Sequence, residues 1–322
     1  MSFSVRAAIP GDSGGIRELF GTVFPRVLSE AEWRWKYPEN PDGWLSVVAE
    51  RNGKIVGHYG GCLMAARIGG SERTIVSLGD VATDPSVRHL GGRRSVFRCM
   101  AELMFDLLRE RGIPFGFGFP SARAFEVGRR LLGYRSHFPI RETRLDCASP
   151  ESRDDTAGVS DSVGPGFDRL WEKARPWLGR SCLVRDAVRA NWRYQERPDR
   201  SYRMLTIPGE DGDRAWGVIS VFGETALVMD YLLESPDPVL AERLARALAR
   251  EGLAMGGREL AVWEAPGGRA WAVLDSALGR LNARRWTQEA GFSFVTAVVF
   301  EEEALQEFLR DLNLVAGIYD DR

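Results

Sequence analysis

The residues with the most evident chemistry are Ser77-Leu78-Gly79-Asp80-Val81-Ala82-Thr83-Asp84-Pro85-Ser86-Val87-Arg88-His89-Leu90-Gly91-Gly92-Arg93-Arg94, a β-prone run that passes through a loop into the start of a helix. A helix start presents unpaired N–H groups and the positive end of a dipole, which together suit an anion. Gly91 and Gly92 let the backbone curl so that successive amides converge on one phosphate. Arg88, Arg93 and Arg94 stand where positive charge opposes the helix dipole, by roughly 0.3–1 kcal/mol each. Helix stability does not account for them, and a bound pyrophosphate with a further phosphate does. The plainer alternative is a solvated basic turn.

Asp80 is the carboxylate of interest because it lies in the apolar run Ile75–Val81, where partial burial tunes its pKa and makes an amine partner matter. It is a candidate to bind or deprotonate an amine. It could equally satisfy backbone N–H groups where the strand splays, and a matching Asp230 in the second half favours that role. His58 lies among glycines in Val56-Gly57-His58-Tyr59-Gly60-Gly61 and reads first as a hydrogen-bonded structural histidine, while His89 belongs to the loop. Cys99 falls among apolar helix positions and reads as core. Tyr134 and Tyr231 are candidate proton donors whose contexts packing also explains. The Trp33-Trp35-Tyr37 and Trp192-Tyr194 clusters read as fold architecture before pocket lining.

The elements that must position these residues follow from pattern. Val5–Ile9 is predicted as a strand, followed by a helix through Phe20 with Ile16, Leu19 and Phe20 inward. Leu45–Ala49 and Ile55–Met64 read as strands joined across Asn52-Gly53, whose residue types suit a tight hairpin, and a third strand follows Gly69-Gly70 from Thr74 to Thr83. After the loop, Arg94–Arg111 reads as a helix with Phe97, Met100, Ala101, Met104 and Leu108 on one stripe and Gly112 as its stop. A strand at Phe115–Phe119 and a helix at Ala122–Leu132 complete the half.

The order then repeats: a helix at Phe167–Trp177, strands at Tyr202–Thr206, Trp216–Phe222 and Thr225–Leu233, a helix at Val239–Glu251 and a strand at Leu260–Trp263. Trp35-Lys36-Tyr37-Pro38-Glu39-Asn40-Pro41-Asp42 aligns with Trp192-Arg193-Tyr194-Gln195-Glu196-Arg197-Pro198-Asp199, five of eight positions being identical, so the halves read as copies of one unit. Gly57 matches Gly217, and Gly133-Tyr134 matches Gly291-Phe292. Residues 148–166, rich in Ser, Asp, Gly and Pro, read as a linker between domains 1–147 and 167–322.

With 322 residues and 44% apolar content the chain has material for two packed cores, and no apolar run is long enough to span a membrane. Forty-three Lys plus Arg against 45 Asp plus Glu leave a net charge of −2, which argues against a nucleic-acid partner. Four scattered cysteines and three scattered histidines suggest neither a disulfide framework nor a metal site, and they fit a reducing cytoplasm.

In its first half, residues 1 to about 146, this order of elements with an R-x-x-G loop and a Gly-aromatic pair after the last helix resembles the GNAT superfamily of acyl-CoA-dependent N-acyltransferases. The resemblance implies an α/β fold, two tandem GNAT-like modules, each a mostly antiparallel twisted sheet flanked by helices. It also implies that the loop, [Q/R]-x-x-G-x-[G/A] in the family, binds the CoA pyrophosphate and that the strand before it binds pantetheine. Carried over, Val81, Ala82 and Thr83 are the pantetheine segment, Arg88 and Gly91 hold the first two fixed positions, and His89, Leu90, Gly92 and Arg94 complete the loop. Arg93 stands where the family has Gly or Ala. The family's Glu early in that strand is here Ser77, and its Tyr in the last helix is Arg129, which leaves Asp80 as the substitute catalytic candidate. The second half, Leu233-Glu234-Ser235-Pro236-Asp237-Pro238 at the corresponding place, lacks the loop.

The implied activity is transfer of an acyl group, acetyl by default, from acyl-CoA to a primary amine of a small molecule, sugar or peptide held between the modules, without a metal. The alternatives are a catalytically silent acyl-CoA-binding scaffold and a thioester enzyme with another donor such as acyl carrier protein. The sequence leaves the acceptor and the oligomeric state open, and the acids near the C-terminus, Asp320 and Asp321, are expected to fray.

Overall fold

The structure is a computed structural model that describes residues 3–88, 95–146, 157–164, 166–265, 267–281, 283–312 and 315–318. In chain order it runs β1 (Ser4–Ala7), α1 (Ser13–Val23), α2 (Glu30–Lys36), β2 (Trp44–Arg51), β3 (Lys54–Ile68), β4 (Ser71–Thr83), α3 (Val96–Glu110), β5 (Phe115–Gly118), α4 (Ala122–Leu132) and β6 (Arg135–Asp146). It continues through β7 (Gly158–Ser160), α5 (Phe167–Ala174), β8 (Cys182–Leu183), α6 (Ala187–Ala190), β9 (Arg203–Gly209), β10 (Gly212–Phe222), β11 (Thr225–Leu233), α7 (Pro238–Ala254), β12 (Glu259–Trp263), α8 (Arg269–Arg280), β13 (Arg285–Val299) and α9 (Glu302–Arg310).

Two compact units result, and neither is continuous in sequence. The first comprises Met1–Ala66, Glu72–Phe138 and Phe292–Leu305, and the second Arg67–Ser71, Pro139–Gly291 and Gln306–Arg322. This division departs from the expected 1–147 and 167–322: the chain after Phe138 joins the second unit, and Phe292–Leu305 returns to the first. The expected linker is also not linker throughout, since Gly158–Ser160 forms β7 and pairs with β9 at Thr206, Leu205 and Met204. Three small or β-branched residues at a sheet edge carry almost no sequence signal.

In the first unit the strand order is β1-β2-β3-β4-β5-β13, antiparallel except for the β4–β5 pair. β2 alternates as a strand buried on both faces must. Val47 and Ala49 join a core with Tyr59, Val76, Met100, Met104 and Leu108 beneath α3, while Val48 joins Ile16, Leu19, Phe20, Trp33 and Tyr37 beneath α1 and α2. The β2–β3 hairpin turns at Asn52 (φ 54°) and Gly53 (φ 76°), as the Asn-Gly pair predicts. The stripe expected of α3 is buried at Met100, Ala101, Met104 and Leu108, and Ser95 caps the helix through a 3.5 Å bond from the Arg98 amide. Cys99 is half-buried and lies outside this core, because it sits on the flank of the stripe.

The second unit repeats the pattern in the order β6-β12-β11-β10-β9-β7, again with one parallel pair, β11–β12. The glycines matched between halves do the same work. A Cβ on Gly57 would lie 2.7 Å from Met100 Sδ, and one on Gly217 would lie 3.1 Å from Leu248. Each therefore lets a helix, α3 or α7, lie close against its sheet.

Candidate functional site

β4 is held to its parallel neighbour β5 at Val76↔Gly116 and Ser77↔Phe117. β5 then ends at Gly118, while β4 runs on to Thr83. Three residues past Ser77 the backbone turns left-handed at Asp80, with φ 51°. A residue with a Cβ seldom adopts that conformation, and Asp tolerates it better than most.

Three side chains hold Asp80 there. Tyr37 Oη donates to Asp80 Oδ2 over 2.6 Å, and Lys36 Nζ lies 2.8 Å from the same oxygen. His58 Nδ1 donates to the Asp80 carbonyl oxygen over 2.8 Å. Because a carbonyl can only accept, Nδ1 carries the proton, and Nε2 is buried with no hydrogen-bond partner among the described residues. His58 is fully buried between the rings of Phe20 and Tyr37, and that burial pushes its pKa down, so it stays neutral. Burial also pushes the Asp80 carboxyl up, but the Lys36 charge and the bonds from Lys36 and Tyr37 outweigh it, and the carboxyl ends below its usual range. Asp80 is therefore ionised at neutral pH and already holds two partners.

Both partners come from the end of α2, a helix the hydrophobic pattern does not reveal. Its local signal is Ser29-x-x-Glu32, a capping box in which Ser29 Oγ accepts from the Glu32 amide (3.1 Å) and Glu32 Oε2 accepts from the Ser29 amide (2.9 Å). The aromatic cluster that follows is core rather than pocket lining: Trp33, Trp35 and Tyr37 are all at most 3% exposed. Gly60 on β3 makes room for the Tyr37 hydroxyl, since a Cβ there would lie 2.2 Å from Tyr37 Oη and 3.1 Å from the Gly79 carbonyl. Gly60→Ala is expected to lower stability by about 1–3 kcal/mol through overpacking, read as a reduced midpoint in urea unfolding.

The second unit keeps half of this device. Tyr194, the repeat of Tyr37, donates to Asp230 Oδ2 over 3.2 Å, beside a bulge where Val218↔Asp230 is followed by Ile219↔Val228. The cation there is the buried Arg185, whose Nε lies 2.9 Å from Asp230 Oδ1. The correspondence of Asp80 with Asp230 thus extends to a shared Tyr–Asp bond that secures an irregular strand.

The other expected site residues are distributed as follows. Val81 and Thr83 are half-buried and Ala82 is buried along the end of β4. Arg88 is exposed, and its Nε donates to the Thr83 carbonyl over 2.9 Å, which places its guanidinium at the end of that strand. His89, Leu90, Gly91, Gly92, Arg93 and Arg94 lie outside the described residues. Among the described residues no group of three or more His, Cys, Asp or Glu could hold a metal ion, and no helix is long and apolar enough to cross a membrane.

Residues 4–131 match the family model described as the acetyltransferase (GNAT) domain. The protein carries a GNAT acetyltransferase domain. The match is to a family of acyltransferases and covers residues 4–131 of the 322. None of the curated proteins matches this sequence. Among solved structures, a probable N-acyltransferase from Enterococcus faecalis V583 is similar over 96% of this chain and 74% of its own, with a TM-score of 0.68 at 11% identity. Eis1 from Mycobacterium abscessus is similar over 95% of this chain and 76% of its own, with a TM-score of 0.59 at 16% identity. The N-myristoyltransferase of Saccharomyces cerevisiae, solved with myristoyl-CoA bound, covers 92% of this chain and 82% of its own, with a TM-score of 0.53 at 10% identity. At these identities the likeness is one of fold, and it extends over nearly the whole chain.

In the GNAT domain of this protein, the position of the missing helix Tyr is taken by Arg129, which bonds Glu126 on the exposed side of α4 through Nε and Nη2, each 2.9 Å long. The next aromatic, Tyr134, folds its ring back over Gly128, where a Cβ would lie 2.3 Å from it. Its hydroxyl is 2.5 Å from that of Tyr59, and burial pushes its pKa up to about 12.

Proposed function

We propose that the protein transfers an acyl group, acetyl by default, from acyl-CoA to a primary amine of a small molecule, sugar or peptide. The observation that carries this reading is the course of β4. Its neighbours in the sheet are β3 and β5, and β5 ends at Gly118, so among the described residues no strand lies beside Val81–Thr83 on the β5 side. An extended pantetheine chain, which carries amides of its own, suits that edge as an added strand does. Arg88 stands at the end of the same edge, where the diphosphate follows pantetheine in CoA. Asp80, one residue before the edge and ionised, is the group to receive the acceptor's ammonium proton.

The test is calorimetric titration of the protein with acetyl-CoA, CoA and dephospho-CoA, alongside an Arg88→Ala, Arg93→Ala double variant. Micromolar binding that falls by about 100-fold or more in the variant is expected if both guanidiniums meet phosphate, at about 1.5–3 kcal/mol per charged hydrogen bond. Absence of binding to the unaltered protein overturns the reading.

A second reading, an acyl-CoA-binding protein without turnover, draws on one observation. The only carboxylate proposed as base is already held by Lys36 and Tyr37. It predicts tight acetyl-CoA binding with no thiol release across a panel of amines, and reproducible acylation of one amine ends it.

A further inference from the structure

The chain has three lysines, Lys36, Lys54 and Lys173, and its remaining 40 of 43 basic residues are arginines. Two of the three are ordinary surface residues: the Lys54 and Lys173 side chains are each 49% exposed, paired with Glu18 and Glu234. Lys36 differs. Its side chain is 11% exposed, its Nζ lies 2.8 Å from Asp80 Oδ2, and it sits 5.9 Å from the centre of the Tyr37 ring. A nearly buried ion pair is a poor source of stability, because desolvation offsets most of the attraction. Arginine makes such pairs better than lysine does, and the second unit uses Arg185 for the same purpose. A lysine in this place therefore supplies something a guanidinium does not, which is a primary amine that can lose its proton and form an amide.

We propose that Lys36 is a self-acylation site, modified by an acyl-CoA bound along β4. The inference rests on the donor site proposed above. The arrangement is that of an acceptor already seated: an ammonium on a carboxylate, one residue from the edge Val81–Thr83 that takes the donor. Asp80 accepts a proton from Lys36 Nζ, and the neutral amine attacks the thioester carbonyl carbon. An N–C bond forms, the C–S bond breaks, and the thiolate of CoA leaves and is protonated, by the proton Asp80 took or by solvent. The products are an acylated Lys36, free CoA and one released proton.

The full-length protein is incubated with acetyl-CoA, and acetylation at each lysine is followed by peptide mass spectrometry, with binding measured in parallel by calorimetry. Indiscriminate chemical acetylation favours the exposed Lys54 and Lys173. The expected result is the reverse: Lys36 is labelled first, at a rate independent of protein concentration, and Asp80→Asn slows it by roughly 100-fold. Lys36→Arg, which keeps the charge, is expected to bind acetyl-CoA undiminished with no label at that position. Binding of acetyl-CoA with no label, or with Lys54 and Lys173 labelled ahead of Lys36, overturns the self-acylation while the donor site stands. No binding overturns both.

Discussion

Asp80→Ala is expected to cost about 3–5 kcal/mol of unfolding free energy, the loss typical of removing one partner from a buried ion pair. The substitution leaves the Lys36 ammonium and the Tyr37 hydroxyl facing each other without the carboxylate, and it removes the short polar side chain that eases a backbone at φ 51°. Two companion variants separate these causes in urea unfolding. Asp80→Gly relieves the backbone and still loses the carboxylate. Asp80→Asn tolerates the left-handed conformation and can still accept from Tyr37, so it is expected to fall between wild type and alanine. If alanine costs under about 1 kcal/mol, the bonds around Asp80 are not what secures the end of β4, and the argument for a defined donor edge loses its support.

Phe294→Ala is the second large expectation. Phe294 is fully buried in the first unit, although it lies in the last tenth of the chain. Its ring stacks on Phe117 (centroids 5.2 Å, 15°) and on Phe138 (5.4 Å, 8°), next to the ladder in which Val295 faces Gly118 and Thr296 faces Phe117. Removing it leaves a cavity worth about 3–5 kcal/mol, read as a lowered midpoint in thermal or urea unfolding. Acetyl-CoA binding is expected to weaken in step, because the strand it supports, β5, is the one whose end defines the donor edge. A change below 1 kcal/mol would show that Phe294 does not hold the last strand of this sheet.

Much of what positions the site is visible in the residues, wherever local rules decide. Asn52-Gly53 specifies its hairpin, the stripe through Met100 and Met104 specifies α3, and α4 falls on Ala122–Leu132 as read. The repeat of Trp-Lys-Tyr as Trp-Arg-Tyr also marks the tyrosines that bind Asp80 and Asp230, although the pattern alone does not say what they bind. What escapes reading is non-local. Lys36 and Asp80 are 44 residues apart, and the packing of α2 against the sheet brings them together. The ownership of Phe292–Leu305 by the first unit depends on which strand edge it meets, and its alternation would serve either unit.

That ownership has a consequence during synthesis. A ribosome that has made the whole of the expected first domain has not yet made its last strand, which ends at Val299, after the strands of the other unit. Until then the edge of β5 that β13 covers, which includes Phe117, is unpaired, and an unpaired apolar edge on a nascent chain invites association with other chains. The unit that carries the proposed donor edge is completed only after strands β7–β12 of the other unit have been made.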